Sequence, residues 1–367
     1  MAMTWVFLIH LLEFFCAQAP KGSIDSRIIT FVYPLGNLSG VFFVIISGCF
    51  LYRSLLSGPV KYLSFLRCRL ARIYSVFSVV LTIYLLLSFV FPNASKLPHH
   101  PLDAAAYILQ NLLLTPGVFP IVPIITVSWT LSYIVLYCLI LPPVIELSGM
   151  RKWQARKRVL WFLAATVLCA AGAAWTHAYP ERLALLPVGA IAWEALAWRK
   201  ANPQKVRWAE AAAAAIAVLA LGSKYWLVYR DGFSIFACSS GSKQLTASAV
   251  SLSCLSFALF SANSITRRLL SLMPLRWLGN ISYSYYLTHG LLIKLLTLFT
   301  PAIALIVRSA AGFWAAVAVA YIVSLLPAAA LFLLVEKPAL RIATAPDRSE
   351  MGNWRGWSLF YLPNKTT

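Results

Sequence analysis

Long apolar runs separated by short polar segments dominate the chain from residue 4 to residue 335. An α-helix needs about 20 consecutive apolar residues to cross roughly 30 Å of hydrocarbon, and most of the runs approach that length. The pattern therefore predicts an all-α, polytopic membrane bundle of about ten transmembrane helices. The predicted spans are residues 4–19, 32–56, 73–91, 124–147, 159–176, 183–198, 208–222, 244–262, 277–299 and 313–335.

Two segments between the predicted spans are longer than the rest. Residues 223–243 carry Arg230 and Asp231 near their middle, and charged side chains are costly in hydrocarbon, so we predict a surface or re-entrant loop there. Residues 92–123 contain several prolines together with His99 and His100. We predict that this second segment is an outward-facing connection.

The basic residues are concentrated in alternate connections. Of the 31 lysines and arginines, 21 lie in one alternating set of connections and the C-terminal tail, 8 lie in the other set, and two lie inside spans. The positive-inside rule then predicts that both termini are cytoplasmic. The net charge of +20 follows from this distribution, which faces anionic membrane lipid, and does not indicate nucleic-acid binding.

The composition supports one membrane domain. Hydrophobic residues make up 60% of the chain and charged residues only 11%, too few to cover the surface of a water-soluble domain of this size. We predict a single transmembrane domain over residues 1–341 and a polar cytoplasmic tail over residues 342–367. The seven cysteines show no metal-binding spacing, so no metal is expected.

The first span contains two ionisable residues, His10 and Glu13. Their spacing of three places both side chains on one face of the helix. A carboxylate beside an imidazole can fix its tautomer and raise its pKa, as a general base requires. The alternative is that His10 only forms a hydrogen bond to a neighbouring helix.

A polar stripe runs through the predicted ninth span. Ser282, Tyr286 and His289 follow one another at helical spacing and therefore share one face. Such a stripe can line a path for a substrate, or it can hold two helices together through hydrogen bonds. The sequence leaves both interpretations open.

Two further charged residues lie near the ends of predicted spans. Glu194 is expected to extend to the membrane interface or to pair with Arg199, five residues later in the chain. Lys294 is expected to extend towards the outer interface.

Six stretches of the chain resemble, in order, the motifs of the membrane-bound acyltransferase-3 family. The ninth-span stretch is similar to the family signature "LGxISYSLYLxHxPL". The stretches are "LSGVFFVIISGCFLYRSL", "FLRCRLARIYSVF", "VSWTLSYIVLYCLILPP", "RLALLPVGAIAWEAL", "WLGNISYSYYLTHGLLI" and "VEKPALR". The resemblance as a whole covers about residues 5–341, which is nearly the whole chain.

This resemblance implies a bacterial inner-membrane O-acyltransferase. The family transfers acyl groups, most often acetyl, from cytoplasmic acyl-CoA to hydroxyls of surface glycans or their lipid-linked precursors. His10, oriented by Glu13, would act as general base or as transient acyl carrier. The basic element implied to hold acyl-CoA is Arg69 and Arg72, assisted by Arg67. The residues implied to line the substrate path are Asn280, Ser282, Tyr286, His289 and Trp129.

The chain departs from the family pattern at two positions. Family members carry an arginine eleven residues before the first-span histidine, so either the start lies upstream or the residue is missing. Ile134 replaces the glutamate of the "WTLSYE" motif. These departures keep open a catalytically inactive member. A carrier or flippase for a lipid-linked sugar is a further alternative, although no internal repeat is visible.

Overall fold

A computed structural model describes residues 2–19, 36–92, 95–176, 179–202, 206–231, 239–259 and 272–344. Within these ranges the regular structure is helical, and no strand is present. In chain order the α-helices are α1 Ala2–Gln18, α2 Gly36–Leu56, α3 Tyr62–Val90, α4 Pro101–Leu112, α5 Trp129–Leu147, α6 Ala155–Thr176, α7 Leu185–Ala201, α8 Val206–Asp231, α9 Ser239–Leu259, α10 Met273–Asn280, α11 Ser282–Thr297, α12 Thr300–Ile306, α13 Ala310–Leu331 and α14 Lys337–Thr344. A π-helical turn, Phe332–Glu336, joins the last two.

The protein is a multi-pass helical membrane protein, as predicted. Five described helices are long and apolar enough to cross a membrane, and a sixth span results if the bent pair α11–α12 is counted as one. Helix α1 and residues 246–257 of α9 form shorter apolar helices. The count of ten spans and the cytoplasmic position of the termini remain predictions.

Three sequence predictions need correction. The loop predicted for residues 223–243 is wrong at both described ends, because α8 continues to Asp231 and α9 begins at Ser239. The outward connection 92–123 contains the helix α4, which starts with Pro101 in its first turn, a position where proline costs no hydrogen bond. Helix α3 begins eleven residues before the predicted span, so its arginines lie on a helix and not in a loop. The predicted tail lies outside the described residues from residue 345 onward.

Two cores hold the bundle together. In the first, α1 packs between α11 and α13 and also contacts α2, with Phe7, Phe77 and Tyr285 fully buried. In the second, α2 packs against α5, α7 and α9, with Tyr52 and Tyr133 at its centre. Large apolar side chains on the outer faces of α8 and α13 stay exposed, as expected for surfaces that meet lipid. Helix α1 therefore belongs to the first core and also contacts α2, a helix of the second core.

Helices α2 and α7 cross at two glycines. A Cβ atom at Gly189 would collide with the carbonyl oxygen of Ile45, and one at Gly48 would lie 2.7 Å from the carbonyl oxygen of Leu186. The backbones can approach this closely only because neither position carries a side chain, which is the role of small residues at membrane helix interfaces.

Replacing Gly189 by leucine is expected to destabilise the protein by about 3 kcal/mol or more, because the two backbones would have to separate. Thermal unfolding in one detergent measures the effect. Gly222→Leu on α8 is the matched control: nothing lies within 4 Å of its position, and the substitution should be neutral or slightly stabilising. Equal stability of the two variants would contradict the close crossing.

Candidate active site

Two histidines from different helices stack on one another near the centre of the bundle. The imidazole rings of His10 on α1 and His289 on α11 lie 5.8 Å apart, centroid to centroid, at an interplanar angle of 15°. Phe7, one turn before His10, contacts the His289 ring edge-on at 6.1 Å. Because Phe7 and His10 lie on one face of α1, both of their rings contact the imidazole of His289.

The two histidines differ in their surroundings. His289 is 2% exposed, whereas the side chains of His10 and Glu13 are 41% and 50% exposed. His10 Nδ1 lies 3.6 Å from a Glu13 carboxylate oxygen, close enough for that carboxylate to orient the ring. The pair therefore joins a buried imidazole, His289, to a partly exposed one, His10, whose Nδ1 is the nitrogen near the Glu13 carboxylate.

The Nδ1 atom of His289 has no hydrogen-bond partner among the described residues although it is buried. A buried polar atom without a partner is uncommon, and such atoms are frequent at sites that receive a ligand or water. Tyr286, one turn earlier on α11, packs against the His289 ring at 5.9 Å. Its hydroxyl lies 3.0 Å from the Thr130 hydroxyl and donates to the Val127 carbonyl at 3.1 Å. Helix α11 is thereby fixed to the start of α5.

Arg182 is a site neighbour that the sequence did not reveal. Its buried guanidinium lies 4.3 Å from the centre of the Trp129 ring, and its charge reaches the Tyr286 hydroxyl. The residue precedes α7 in a short 3-10 turn, and only tertiary packing brings it to the tip of α5. It places one positive charge beside the substrate-lining residues predicted from the resemblance.

Glu336 is a second site neighbour, and it lies in a motif already identified in the sequence. It is the glutamate of "VEKPALR", a stretch used above only for the resemblance. The carboxylate is 0% exposed, accepts a hydrogen bond from Ser284 at 2.8 Å, and lies 3.9 Å from Arg72 Nε. Ser284 is five residues before His289, so Glu336 links the basic element of α3 to the histidine helix.

The three arginines of the basic element have different partners. Arg69 donates to the Ser54 hydroxyl at 3.3 Å and stacks on the Phe65 ring, and Arg72 faces Glu336. Both are only partly exposed. Arg67 is exposed and donates to the carbonyl oxygen of Ala343 on α14. Arg69 and Arg72 therefore face the interior of the bundle, whereas Arg67 lies at its edge.

The remaining predicted lining residues lie further from the histidines. Ser282 donates to the carbonyl oxygen of Gly279, and it precedes His289 by seven residues, about 10 Å along the helix axis. Asn280 is partly buried at the end of α10. These two residues belong to the same end of the bundle as Arg72 and are separated from the stacked rings by two helical turns.

The prediction for Glu194 is wrong. Glu194 is buried and does not pair with Arg199; it accepts hydrogen bonds from Arg158 at 2.6 Å and 3.1 Å and from the Tyr52 hydroxyl at 2.6 Å. Arg199 instead pairs with Glu210. Sequence proximity favoured Arg199, but α6 lies against α7 and brings Arg158 closer.

Two lysines, Lys294 and Lys96, lie near the C-terminal end of α11, the helix that carries His289. Lys294 lies 5.0 Å from the centre of the Tyr84 ring, and the Tyr84 hydroxyl faces Gly290, the residue after His289. Lys96, in the connection before α4, donates to the carbonyl oxygen of Pro123. Partial desolvation and the charge of Lys294 lower the pKa of Lys96. The end of α11 nearer the predicted outer side is thus positive.

The helical architecture and the motif order both point to one family. No curated protein and no solved structure shows significant similarity to the chain. Residues 1–332 match the family model described as "Acyltransferase domain". The chain therefore belongs to the acyltransferase-3 family and is a membrane acyltransferase.

Proposed function

We propose that the protein transfers an acetyl group from acetyl-CoA to a hydroxyl of a cell-surface polysaccharide or of its lipid-linked precursor. The observation that carries this proposal is the stacked pair of His10 and His289. His10 is partly exposed beside a carboxylate, and His289 is buried with an Nδ1 atom that has no hydrogen-bond partner among the described residues. An acyl transfer to a hydroxyl needs a base for the hydroxyl proton, and this pair supplies one.

His10 can act in either of two ways. As a general base, Nε2 takes the proton of the acceptor hydroxyl while its oxygen attacks the thioester carbonyl; the C–O bond forms, the C–S bond breaks, and the CoA sulfur leaves as a thiolate that takes up a proton. As an acyl carrier, Nε2 attacks the thioester first, the C–S bond breaks and the CoA thiolate leaves. The acceptor hydroxyl then attacks the acyl-imidazole, the N–C bond breaks, and the hydroxyl proton passes to the thiolate. In both, the Glu13 carboxylate beside Nδ1 stabilises the positive imidazole.

The basic residues of α3 support a donor on the predicted cytoplasmic side. The planar guanidinium fork suits phosphate oxygens, and CoA carries three phosphate groups. Arg72 is linked through Glu336 to Ser284 of α11, and α11 is the helix that carries His289. A donor held by Arg69 and Arg72 would therefore lie beside α11.

One observation favours a second candidate function, a carrier for a lipid-linked sugar. Helices α11 and α12 form one apolar segment broken by a bend of 87°. Broken helices beside a polar site are common in transporters. Transport would need the histidine pair only for coupled proton movement. Acyl transfer uses it directly as a base, and the family match supports acyl transfer, so we place transport second.

Proton NMR of the purified surface polysaccharide tests both functions. The polysaccharide is compared between the wild-type strain, a deletion strain, and the deletion strain complemented with wild type or with His10→Ala. We expect the acetyl methyl signal to vanish on deletion and to return only with the wild-type gene.

The amount of exported polysaccharide is measured in the same cultures. Unchanged export with lost acetyl ester supports the transferase, whereas failed export supports the carrier. Identical acetylation in all four cultures would overturn the proposed function for that glycan.

A further inference from the structure

An arginine in the last turn of α2 lies over the ring of a tryptophan of α7. The Arg53 guanidinium is 4.9 Å from the centre of the Trp193 ring. Arg53 occupies the last turn of α2, and its side chain is exposed. Stacking on an indole restricts the orientation of the guanidinium without using its N–H groups, which point outward from the edge of the plane.

No carboxylate or carbonyl of the described residues lies within ion-pair or hydrogen-bond distance of the N–H groups of the Arg53 guanidinium. By contrast, Arg69, Arg72 and Arg158 are each engaged by side chains of the bundle. A fixed, exposed and unpaired guanidinium is a preorganised receptor for a phosphate group.

The position of Arg53 relates it to the basic element of α3. Its neighbour Ser54 accepts the hydrogen bond from Arg69, and Arg72 lies one turn beyond Arg69 on α3. Arg72 is thus linked through Glu336 to the His289 helix, and Arg69, one turn away on α3, is linked through Ser54 to the segment of α2 that carries Arg53. Of these three arginines, Arg53 is exposed, whereas Arg69 and Arg72 are partly buried.

Coenzyme A has its groups in a matching order. The thioester is followed by the pantetheine arm, then the diphosphate, and finally the adenosine with its ribose 3′-phosphate. If the thioester lies at the histidines, the diphosphate falls to Arg69 and Arg72, and the 3′-phosphate extends past them. We propose that Arg53, held in place by Trp193, binds the 3′-phosphate of the CoA donor. This inference rests on the proposed function.

Binding of two donors to the purified full-length protein in detergent tests the inference. Acetyl-CoA and acetyl-dephospho-CoA, which lacks only the 3′-phosphate, are titrated calorimetrically. We expect wild type to bind acetyl-CoA about 10- to 100-fold more tightly than the dephospho donor, the value of a charge-assisted contact. Arg53→Ala should remove that preference, with the affinity for acetyl-dephospho-CoA unchanged.

Two further variants separate the contact from general effects. Trp193→Leu should reduce the preference while retaining the arginine, because the guanidinium is then no longer held. Lys157→Ala is the matched control: this exposed lysine also stacks on a tryptophan, Trp153, at 4.3 Å, and its loss should change neither affinity.

The outcomes distinguish the two proposals. If wild type binds the donors and Arg53→Ala weakens both equally, or neither, the Arg53 inference is wrong and the proposed function stands. If wild type binds neither donor while remaining folded by thermal unfolding, acyl-CoA is not the substrate and both proposals fail.

Discussion

His10→Ala is expected to reduce acetylation of the acceptor at least about 100-fold, the lower end of what a positioned acid–base group contributes. The histidine has the open ring of the stacked pair, and its Nδ1 faces Glu13 at 3.6 Å. No other imidazole lies beside it except His289, which is buried and has no carboxylate within ion-pair distance among the described residues. The measurement is the acetyl content of the surface polysaccharide at equal amounts of membrane protein.

Glu13→Gln and His289→Ala divide the roles within the pair. Glu13→Gln preserves shape but removes the charge, so we expect a smaller loss than for His10→Ala. His289→Ala removes the stacking partner and should reduce activity while leaving a base in place. As a control for folding, His100→Ala changes an exposed histidine that also has a carboxylate, Asp103, three residues later. Full acetylation by His10→Ala would exclude both the general-base and the acyl-carrier mechanism.

Glu194→Ala is expected to destabilise the protein by about 3–5 kcal/mol, because it leaves the Arg158 guanidinium partly buried and without its partner. Glu194 is 4% exposed, and its two oxygens together accept three hydrogen bonds from Arg158 and Tyr52. Thermal unfolding in a single detergent, with matched protein and lipid content, measures the change.

An exposed ion pair in the same protein supplies the control. Glu146 pairs with Arg151 at 2.6 Å, but its side chain is 44% exposed, so Glu146→Ala should cost less than about 1 kcal/mol. The double variant Glu194→Leu with Arg158→Leu should recover much of the lost stability, since it removes both charges. Equal effects of Glu194→Ala and Glu146→Ala would show that the buried network does not stabilise the bundle.

Residue spacing along one helix predicts contacts within that helix but not contacts between helices. The interval of three residues predicted that His10 and Glu13 share a face, and their side chains do lie 3.6 Å apart. The stacking of His10 on His289 depends on how α1 enters the bundle between α11 and α13. Nothing in either segment alone specifies that arrangement, because the two residues are separated by 279 positions in sequence.

Charged residues gave the least reliable predictions. Glu194 was assigned to a neighbour in sequence, and its partner is instead on the adjacent helix. The charges Arg230 and Asp231 predicted a loop, yet α8 continues to Asp231, and Arg230 lies 4.6 Å from the Trp226 ring. A cation that stacks on an aromatic ring near a helix end is compatible with a membrane interface, so charge alone does not end a helix.

The sequence by itself determined the helical, membrane-spanning class and the motifs of the family, because both follow from local composition and order along the chain. It also determined which polar residues stand within apolar helices. The tertiary structure decided which of these residues contact one another. It brings together His10 and His289, Arg182 and Trp129, Glu336 and Arg72, and Arg53 and Trp193. The physical reason is that an apolar helix in lipid can pack against its neighbours through any of several faces. Close contacts between helices, such as the crossing at Gly48 and Gly189, select one arrangement.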